Sequence, residues 1–225
     1  MPAPRRRGWR GSAGRFRGAG SRRDANADDT GRRRGDTPAV PSLPSAEQPT
    51  LTGPRVRLRP WRPDDVDAVL AACQDPEVQR WTTVPVPYRR EDAEAFVLEV
   101  APSAAERGGA LFAVEFRDGG PLVGSMSLLA LREGVASIGY WTAVEHRGRG
   151  YTGEALRVLA THLLDRPDVR RVELVADVRN TASCRTAESA GFVREGVLRR
   201  RSVHRGQEVD DVMYSLLPDD PRPAR

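Results

Sequence analysis

The sequence contains no lysine and only two cysteines, Cys73 and Cys184, among its 225 residues. Two cysteines are too few for a disulfide framework, which favours a reducing, cytoplasmic setting, and neither has the spacing of a metal site. No apolar run approaches the ~20 residues that span a bilayer, and the N-terminus lacks the apolar centre of a signal peptide. Without lysine, the phosphate loop G-x-x-x-x-G-K-S/T is also excluded. We therefore expect an intracellular protein with no membrane span, disulfide or metal.

Positive charge is concentrated at the N-terminus. The formal net charge is +5, yet the first 50 residues carry 11 arginines against five acidic residues, so the remainder is nearly neutral. Residues 1–50 have almost no aliphatic side chains and bury too little apolar surface to offset the entropy of ordering. We predict a disordered tail over 1–50, one folded domain over 51–217 and a flexible C-terminus over 218–225. The tail resembles an Arg/Gly segment that binds nucleic acid, and the alternative is an extension or a misassigned start with no function.

The most informative stretch spans residues 138–155, where an apolar, aromatic run is followed by a glycine-rich turn and then a helical pattern. The N–H groups of a first helical turn have no intrahelical acceptor and lie at the positive end of the helix dipole, so they attract anions. Gly148 and Gly150 let the backbone approach a ligand, while Arg147 and Arg149 add forked donors suited to a pyrophosphate. The stretch therefore predicts a phosphate site.

The segment from Gly148 to Gly153 also matches G-x-G-x-x-G, the fingerprint of dinucleotide-binding folds. Such a fold places this loop after the first strand of a parallel βαβ series. Here the loop follows three segments joined by short turns, which predict antiparallel hairpins over Leu111–Phe116, Leu122–Leu131 and Val135–Val144. The context disfavours a nucleotide-dependent oxidoreductase, which is kept as an alternative.

The remaining hydrophobic patterns complete a mixed α/β (α+β) fold. They predict strands over Leu51–Arg59, Arg171–Asp177, Phe192–Arg201 and Val209–Leu216, and helices after Pro63, over Arg90–Ala101, from the glycine loop to about Asp165 and from Asn180 to Gly191. Because a full helix joins Arg171–Asp177 to the strand before it, these two strands should be parallel. The other neighbours should be antiparallel.

Several motifs resemble one known family. The segment from Arg147 to Thr152 resembles the acetyl-CoA motif Q/R-x-x-G-x-G/A of the GNAT acetyltransferase superfamily, with threonine where Gly or Ala is usual. The other motifs are similar to the branch of ribosomal-protein N-terminal acetyltransferases of the RimJ/RimL type. They are Arg57–Trp61, Gly139–Trp141, Asn180-x-x-Ser183, Glu188-x-x-Gly191-Phe192 and Tyr214–Leu217. The resemblance covers residues 51–217.

This resemblance implies a GNAT fold with helices on both faces of the sheet and one splayed parallel strand pair. In such folds the pantetheine arm of acetyl-CoA lies between the splayed strands, and a primary amine attacks the thioester directly in a ternary complex. The amine belongs to a protein N-terminus or to a small molecule. The residues expected to bind acetyl-CoA include the glycine loop. They are Trp141, Ala143, Val144, Arg147, Gly148, Arg149, Gly150, Tyr151, Thr152, Gly153, Asn180 and Ser183.

Two side chains are candidates for acid-base chemistry. Ser183 matches the family position that protonates or hydrogen-bonds the CoA sulfur, and its alternative is a hydrogen bond to its own helix backbone. Glu115 lies on a central strand, where desolvation would raise its pKa toward neutrality and suit it as a base. Weaker candidates for the base are Asp177, Glu145 and His204. Cys184 is interpreted as an inert thiol rather than an acyl carrier, since direct transfer needs no covalent intermediate.

Other possibilities remain open at this stage. Tyr140 and Trp141 line the acceptor cleft or simply pack the sheet. A non-catalytic module that binds CoA, or nucleic acid through the basic tail, is a further alternative to an enzyme. The sequence does not decide the acceptor amine or whether the protein is a monomer or a homodimer.

Overall fold

The computed structural model describes residues 48–222, so nearly all of the predicted tail, and the last three residues of the predicted C-terminal segment, lie outside it. The strands are β1 (Leu51–Thr52), β2 (Val56–Pro60), β3 (Ala110–Phe116), β4 (Leu122–Arg132), β5 (Val135–Thr142), β6 (Arg171–Asp177), β7 (Val193–His204) and β8 (Gln207–Leu216). The helices are α1 (Val66–Cys73), α2 (Pro76–Trp81), α3 (Arg90–Ala95), α4 (Tyr151–Leu164) and α5 (Thr181–Ser189). None of these helices combines the length and apolarity that crossing a bilayer requires.

The eight strands form one sheet in the order β1-β2-β3-β4-β5-β6-β8-β7. All neighbours are antiparallel except β5 and β6, which are parallel because α4 carries the chain back between them. The mixed sheet with one parallel pair is therefore confirmed.

The parallel pair separates early. Pairing between β5 and β6 covers only Val135–Ser137 and Arg171–Glu173, although β5 continues to Thr142 and β6 to Asp177. Over the unpaired length β5 stays bonded to β4, and β6 stays bonded to β8. The two strand ends therefore bound an open V, which we call the β5–β6 gap.

Helices cover both faces of the sheet and create two hydrophobic cores. On the face covered by α4 and α5, called the α4 face, the core includes Leu58, Phe112, Met126, Leu156, Leu159 and Tyr214. On the face covered by α1, α2 and α3, called the α1 face, the core includes Val69, Cys73, Val78, Tyr88 and Val97. Because side chains alternate along a strand, Tyr140 reaches the first core while Trp141 packs against the second.

Three predicted elements differ from the structure. The strand predicted over Leu51–Arg59 is broken at Gly53-Pro54, and its two parts pair with each other as β1 and β2. The helix predicted over Arg90–Ala101 continues beyond α3 as a π-helical turn over Phe96–Val100, and an unpredicted 3-10 segment follows at Pro102–Arg107. Finally, β5 ends at Thr142, because the next residues form a 3-10 turn at Val144–His146.

Candidate active site

The glycine loop leaves the start of α4 open. Gly148 and Gly150 have φ of +72° and +77°, a left-handed conformation that favours glycine. The first hydrogen bond of the helix runs from Glu154 N to Gly150 O, at 3.1 Å, so the N–H groups of Tyr151, Thr152 and Gly153 have no helical acceptor. These donors lie at the positive end of a 14-residue helix, an arrangement that attracts anions.

The two loop arginines have different surroundings. Arg147 donates from Nη2 to Asp75 Oδ1 at 2.8 Å, and Asp75 also accepts from the first N–H groups of α2. Burial alone would raise the pKa of Asp75, but Arg147 and the helix N–H groups outweigh it and leave this pKa below its usual value. The Arg147 guanidinium therefore fastens the loop to α2 through Nη2, and its predicted contact with a phosphate stays a prediction. Arg149 is exposed beside the loop.

A contact that sequence reasoning missed holds the loop from the other side. Glu154 is 3% exposed, and its Oε1 accepts from the backbone N–H groups of Arg55, at 2.6 Å, and Val56, at 3.1 Å. The Arg55 side chain bonds Glu154 Oε2 at 2.7 Å, Arg149 O at 3.2 Å, and lies 4.9 Å over the ring of Tyr151. No motif marks Arg55, because its partners lie more than 90 residues away.

Two unusual residues at the helix start have local explanations. Thr152, which replaces the family's Gly or Ala, forms a 2.6 Å hydrogen bond between its hydroxyl and that of Thr142. Its side chain is thereby drawn back to β5. Gly153 is buried, and a Cβ there would lie 3.1 Å from the Ser189 hydroxyl on α5. Its small size is thus needed for packing of α4 on α5, while its N–H still belongs to the open first turn.

The main-chain groups that face the gap are not those expected. Ala143 N donates to Val123 O at 2.9 Å and Ala143 O accepts from His146 N at 3.0 Å, so both polar groups of Ala143 are used internally. Val144 lies in the following 3-10 turn and its carbonyl accepts from Arg147 N. Hydrogen bonding alternates along an antiparallel strand, so the N–H and C=O of Tyr140 point toward the gap. Ala143 therefore has no unused main-chain group for its predicted contacts, whereas the N–H and C=O of Tyr140 are free of strand partners.

Tyr140 and Ser183 meet across the gap. Asn180 Oδ1 accepts from Ser183 N at 3.1 Å, which confirms Asn180 as the N-cap of α5. The hydroxyls of Tyr140 and Ser183 are 2.9 Å apart, and the Tyr140 hydroxyl also donates to Ser183 O at 3.2 Å. Burial raises the pKa of Tyr140 to about 12, so its hydroxyl keeps its proton at neutral pH. Within residues 48–222, Ser183 Oγ is bonded to this tyrosine rather than to its own helix.

The expectation that burial leaves Glu115 with a raised pKa is wrong. Glu115 is 3% exposed, and its two carboxylate oxygens contact Arg57 Nε and, at 2.9 Å, Arg59 Nε. Burial raises its pKa, but the two arginines outweigh burial and leave the pKa below its usual value. Arg59 is itself paired with the buried Asp65 at 2.7 Å. Glu115 therefore belongs to a buried ion network on the α1 face, in which the two arginines favour its charged form.

The weaker candidates for the base differ in environment. Hydrogen bonds from Arg179 lower the pKa of Asp177 below its usual range, with a smaller contribution from His204. His204 lies at the end of β7, and its Nε2 is buried with no hydrogen-bond partner among the described residues. Glu145 is exposed in the 3-10 turn after β5. Between residues 48 and 222, no group of three His, Cys, Asp or Glu side chains is placed to hold a metal ion.

Comparison with known proteins agrees with this geometry. The protein-family model of the acetyltransferase (GNAT) domain matches residues 55–193 of this chain. The chain belongs to the GNAT acetyltransferase family. This assignment confirms the fold, the resemblance and the acyltransferase activity predicted from sequence, and it leaves the oxidoreductase alternative without support.

Two curated relatives share parts of this GNAT chain. The protein named "Uncharacterized N-acetyltransferase YoaA" of Bacillus subtilis is 28% identical over 171 residues, covering 75% of this chain and 97% of that protein. The ribosomal-protein-serine acetyltransferase of Escherichia coli is 31% identical over 84 residues, covering 37% of this chain and 47% of that protein.

One solved structure with the same fold is a complex with coenzyme A. RimL, a ribosomal alpha-N-protein acetyltransferase in complex with coenzyme A, is 24% identical, with a TM-score of 0.67. The alignment covers 76% of this chain and 99% of RimL. At this identity the likeness supports the GNAT fold, and that fold is known to hold coenzyme A in at least this neighbour.

Proposed function

We propose that this GNAT enzyme transfers acetyl from acetyl-CoA to a primary amine by direct attack, with Ser183 at the CoA sulfur. The observation that carries the proposal is one continuous path. It begins at the open N-terminus of α4, follows the β5–β6 gap, and reaches the Ser183 hydroxyl, which is hydrogen-bonded to Tyr140 at 2.9 Å.

The pyrophosphate belongs at the start of α4. Three N–H groups without helical acceptors, those of Tyr151, Thr152 and Gly153, offer hydrogen bonds, and the helix dipole adds partial positive charge. The exposed guanidinium of Arg149 supplies formal charge, while Arg55 and Arg147 hold the loop in place through Glu154 and Asp75. The conformation of the glycine loop is therefore fixed by residues that need not contact the ligand.

The pantetheine arm belongs in the β5–β6 gap. Its amides are hydrogen-bonding groups, and the unpaired N–H and C=O of Tyr140 are the main-chain partners that β5 offers there. Asn180, at the start of α5, borders the same gap from the other side. Trp141 projects to the α1 face, where its ring centroid lies 6.4 Å from that of Trp61, and borders the gap from that face.

The chemistry requires a neutral amine, an oxyanion donor and a proton for the leaving thiolate. The amine nitrogen bonds to the carbonyl carbon, the bond from that carbon to sulfur breaks, and sulfur leaves with the electron pair. The proton that nitrogen loses passes to water, and the departing sulfur ends as the thiol after taking up one proton. Ser183 Oγ–H donates a hydrogen bond to that sulfur, and the neutral Tyr140 hydroxyl positions Ser183. No step needs a cysteine, and Cys184 is half-buried on α5 without an assigned part.

The acceptor is a protein N-terminus or a small-molecule amine. Names of relatives and neighbours that refer to ribosomal proteins favour the first class. A panel of peptide amides and simple amines, followed by detection of free CoA thiol, separates the two classes.

Binding is tested first, by thermal shift with acetyl-CoA against NAD and NADP. We expect the melting temperature to rise with acetyl-CoA alone. A rise with the dinucleotides only, or no thiol release from any amine, would overturn the proposed function.

A further inference from the structure

One guanidinium from outside the glycine loop reaches the start of α4. Arg55 lies in the turn between β1 and β2, and its Nη2 is 3.4 Å from the position that a Cβ on Gly150 would take. Gly150 is the N-cap of α4, and the three N–H groups without helical acceptors follow it directly. Arg55 therefore brings a cation, from a distant segment of the chain, to the place where the proposed function puts the pyrophosphate.

The turn that carries Arg55 is packed closely against α4. Gly53, in the same turn, is buried, and a Cβ on it would lie 2.9 Å from Val158 Cγ2 and 3.0 Å from Glu154 Oε1. A side chain at this position would have to displace α4, so glycine is what lets the turn approach the helix. The Arg55 side chain is thus placed beside the helix start before any ligand binds, which lowers the entropy cost of a contact.

The Arg55 guanidinium is occupied on one side and open on the other. Its Nε donates to Glu154 Oε2 at 2.7 Å and its Nη1 to Arg149 O at 3.2 Å, whereas no hydrogen bond among residues 48–222 uses Nη2. The Arg55 side chain is 51% exposed, and that of Glu154 is 4% exposed. Because a guanidinium carries five N–H donors in a planar fork, Nη2 keeps donors that face a ligand arriving from solvent.

Glu154 offsets part of the Arg55 charge without using up its donors. The Glu154 carboxylate is shared with the backbone N–H groups of Arg55, at 2.6 Å, and Val56, at 3.1 Å. Arg149, whose carbonyl Arg55 contacts, is exposed and adds a second guanidinium to the same loop. A phosphate group has negative charge and several acceptor oxygens, so it matches the donors that Arg55 leaves unused.

We propose that Arg55 Nη2 donates to a phosphate group of acetyl-CoA, so that the β1–β2 turn recognises the cofactor together with the glycine loop. The inference rests on the proposed function, since it assigns a further contact in the same cofactor site. Acetyl-CoA carries this chemistry twice, in its pyrophosphate and in the phosphate on the ribose 3′ oxygen. Arg55 then has two tasks, because Nε and Nη1 hold the loop while Nη2 binds the ligand.

The experiment compares Arg55→Gln with a matched control, Arg157→Gln. Glutamine places an N–H donor where arginine has Nε, so the contact with Glu154 is kept while the charge and Nη2 are lost. Arg157 lies about two turns farther along α4, where its Nη1 donates to Ser189 O at 3.1 Å. By isothermal titration we expect the acetyl-CoA Kd to rise about tenfold in Arg55→Gln and to change by less than about twofold in Arg157→Gln.

Salt and a shortened cofactor separate a direct contact from an effect on the loop. Loss of an exposed charge contact should weaken the ionic-strength dependence of acetyl-CoA binding in Arg55→Gln, but not in Arg157→Gln.

Titration with acetyl-3′-dephospho-CoA then tells the two phosphate sources apart. If Arg55 contacts the 3′-phosphate, Arg55→Gln should leave the Kd of this form unchanged. If it contacts the pyrophosphate, the Kd should rise about tenfold for both forms.

An unchanged acetyl-CoA Kd in Arg55→Gln, or a raised Kd with the salt dependence of the wild type, would show that Arg55 only holds the loop and would overturn this inference alone. Failure of the wild-type protein to bind acetyl-CoA would instead overturn the proposed function.

Discussion

Glu154 and Asp211 are almost equally buried, at 3% and 4% exposure, yet their surroundings differ. Glu154, at the start of α4, accepts hydrogen bonds from two backbone N–H groups and the Arg55 side chain. Asp211, on β8, has a buried oxygen that accepts no hydrogen bond among the described residues and lies 3.7 Å from the Arg201 guanidinium. A buried carboxylate held by hydrogen bonds fixes the elements that it joins, whereas a charge contact without hydrogen bonds fixes them less.

The largest effect should follow from Gly150→Val at the phosphate end. Its φ of +77° is unfavourable for a β-branched residue, a Cβ would lie 3.4 Å from Arg55 Nη2, and the side chain would cover the helix start. We expect acetyl-CoA binding to be lost in isothermal titration.

The matched control for that change is Gly206→Val. Gly206 has φ of +79° at the hairpin tip, so the substitution imposes similar backbone strain with nothing within 4 Å of the new Cβ. Acetyl-CoA affinity should survive there. Wild-type affinity in a folded Gly150 variant would remove the phosphate site from α4.

In the β5–β6 gap, Ser183→Ala should lower kcat about 100-fold while the acetyl-CoA Kd stays nearly constant. The reason is that the hydrogen bond from Ser183 to the CoA sulfur strengthens only as negative charge develops on sulfur. Tyr140→Phe should cost about tenfold, since it removes only the partner of that hydroxyl.

The double variant decides whether these two hydroxyls act as a unit. Coupled groups give non-additive losses, so Tyr140→Phe should add little once Ser183 is alanine. Rate losses that multiply would show independent roles. A fall in melting temperature with unchanged kcat, under conditions where chemistry limits turnover, would reduce Ser183 to a helix-capping residue.

Stability measurements address the two carboxylates directly. Glu154→Gln breaks a buried, fully paired charge and should lower the free energy of unfolding by about 2–4 kcal/mol. Asp211→Asn removes the 3.7 Å charge contact with the half-exposed Arg201 but no hydrogen bond among the described residues, and it should change stability by less than about 1 kcal/mol. Equal destabilisation of the two variants in urea unfolding would contradict the distinction between them.

The smallest effect should come from deletion of residues 1–47. This length keeps Gln48, whose side chain donates to Leu111 O at 2.9 Å. From composition, we predict unchanged melting temperature and acetyl transfer. A segment that serves nucleic acid would show salt-dependent gel shifts that disappear on deletion, and a large loss of turnover would contradict the prediction.

Local signals in the sequence were sufficient for much of the framework. The glycines with positive φ, the Asn180 cap and the short hairpin turns each depend on neighbouring residues, so their predictions could be made without a fold. The antiparallel pairing of the three strands before the glycine loop and the parallel crossover after it followed from connection lengths.

What sequence reasoning missed depends on partners distant in the chain. Glu115 is 58 residues from Arg57, and Arg147 is 72 residues from Asp75, so neither pairing has a local signature. The register that uses up the polar groups of Ala143 is likewise a property of the assembled sheet. Residue type suggested the chemistry of these side chains, but only their three-dimensional partners decided it.

The early separation of β5 from β6 has a thermodynamic consequence. Only three residues of each strand join the two halves of the sheet directly, so a pantetheine arm bound as proposed would add contacts between them. A ligand that binds only the folded state stabilises it in proportion to the logarithm of its concentration. We therefore expect resistance of this enzyme to proteolysis, and protection of the Tyr140 amide from hydrogen exchange, to increase with acetyl-CoA concentration. Under that expectation, the stability of the sheet depends on the concentration of the substrate.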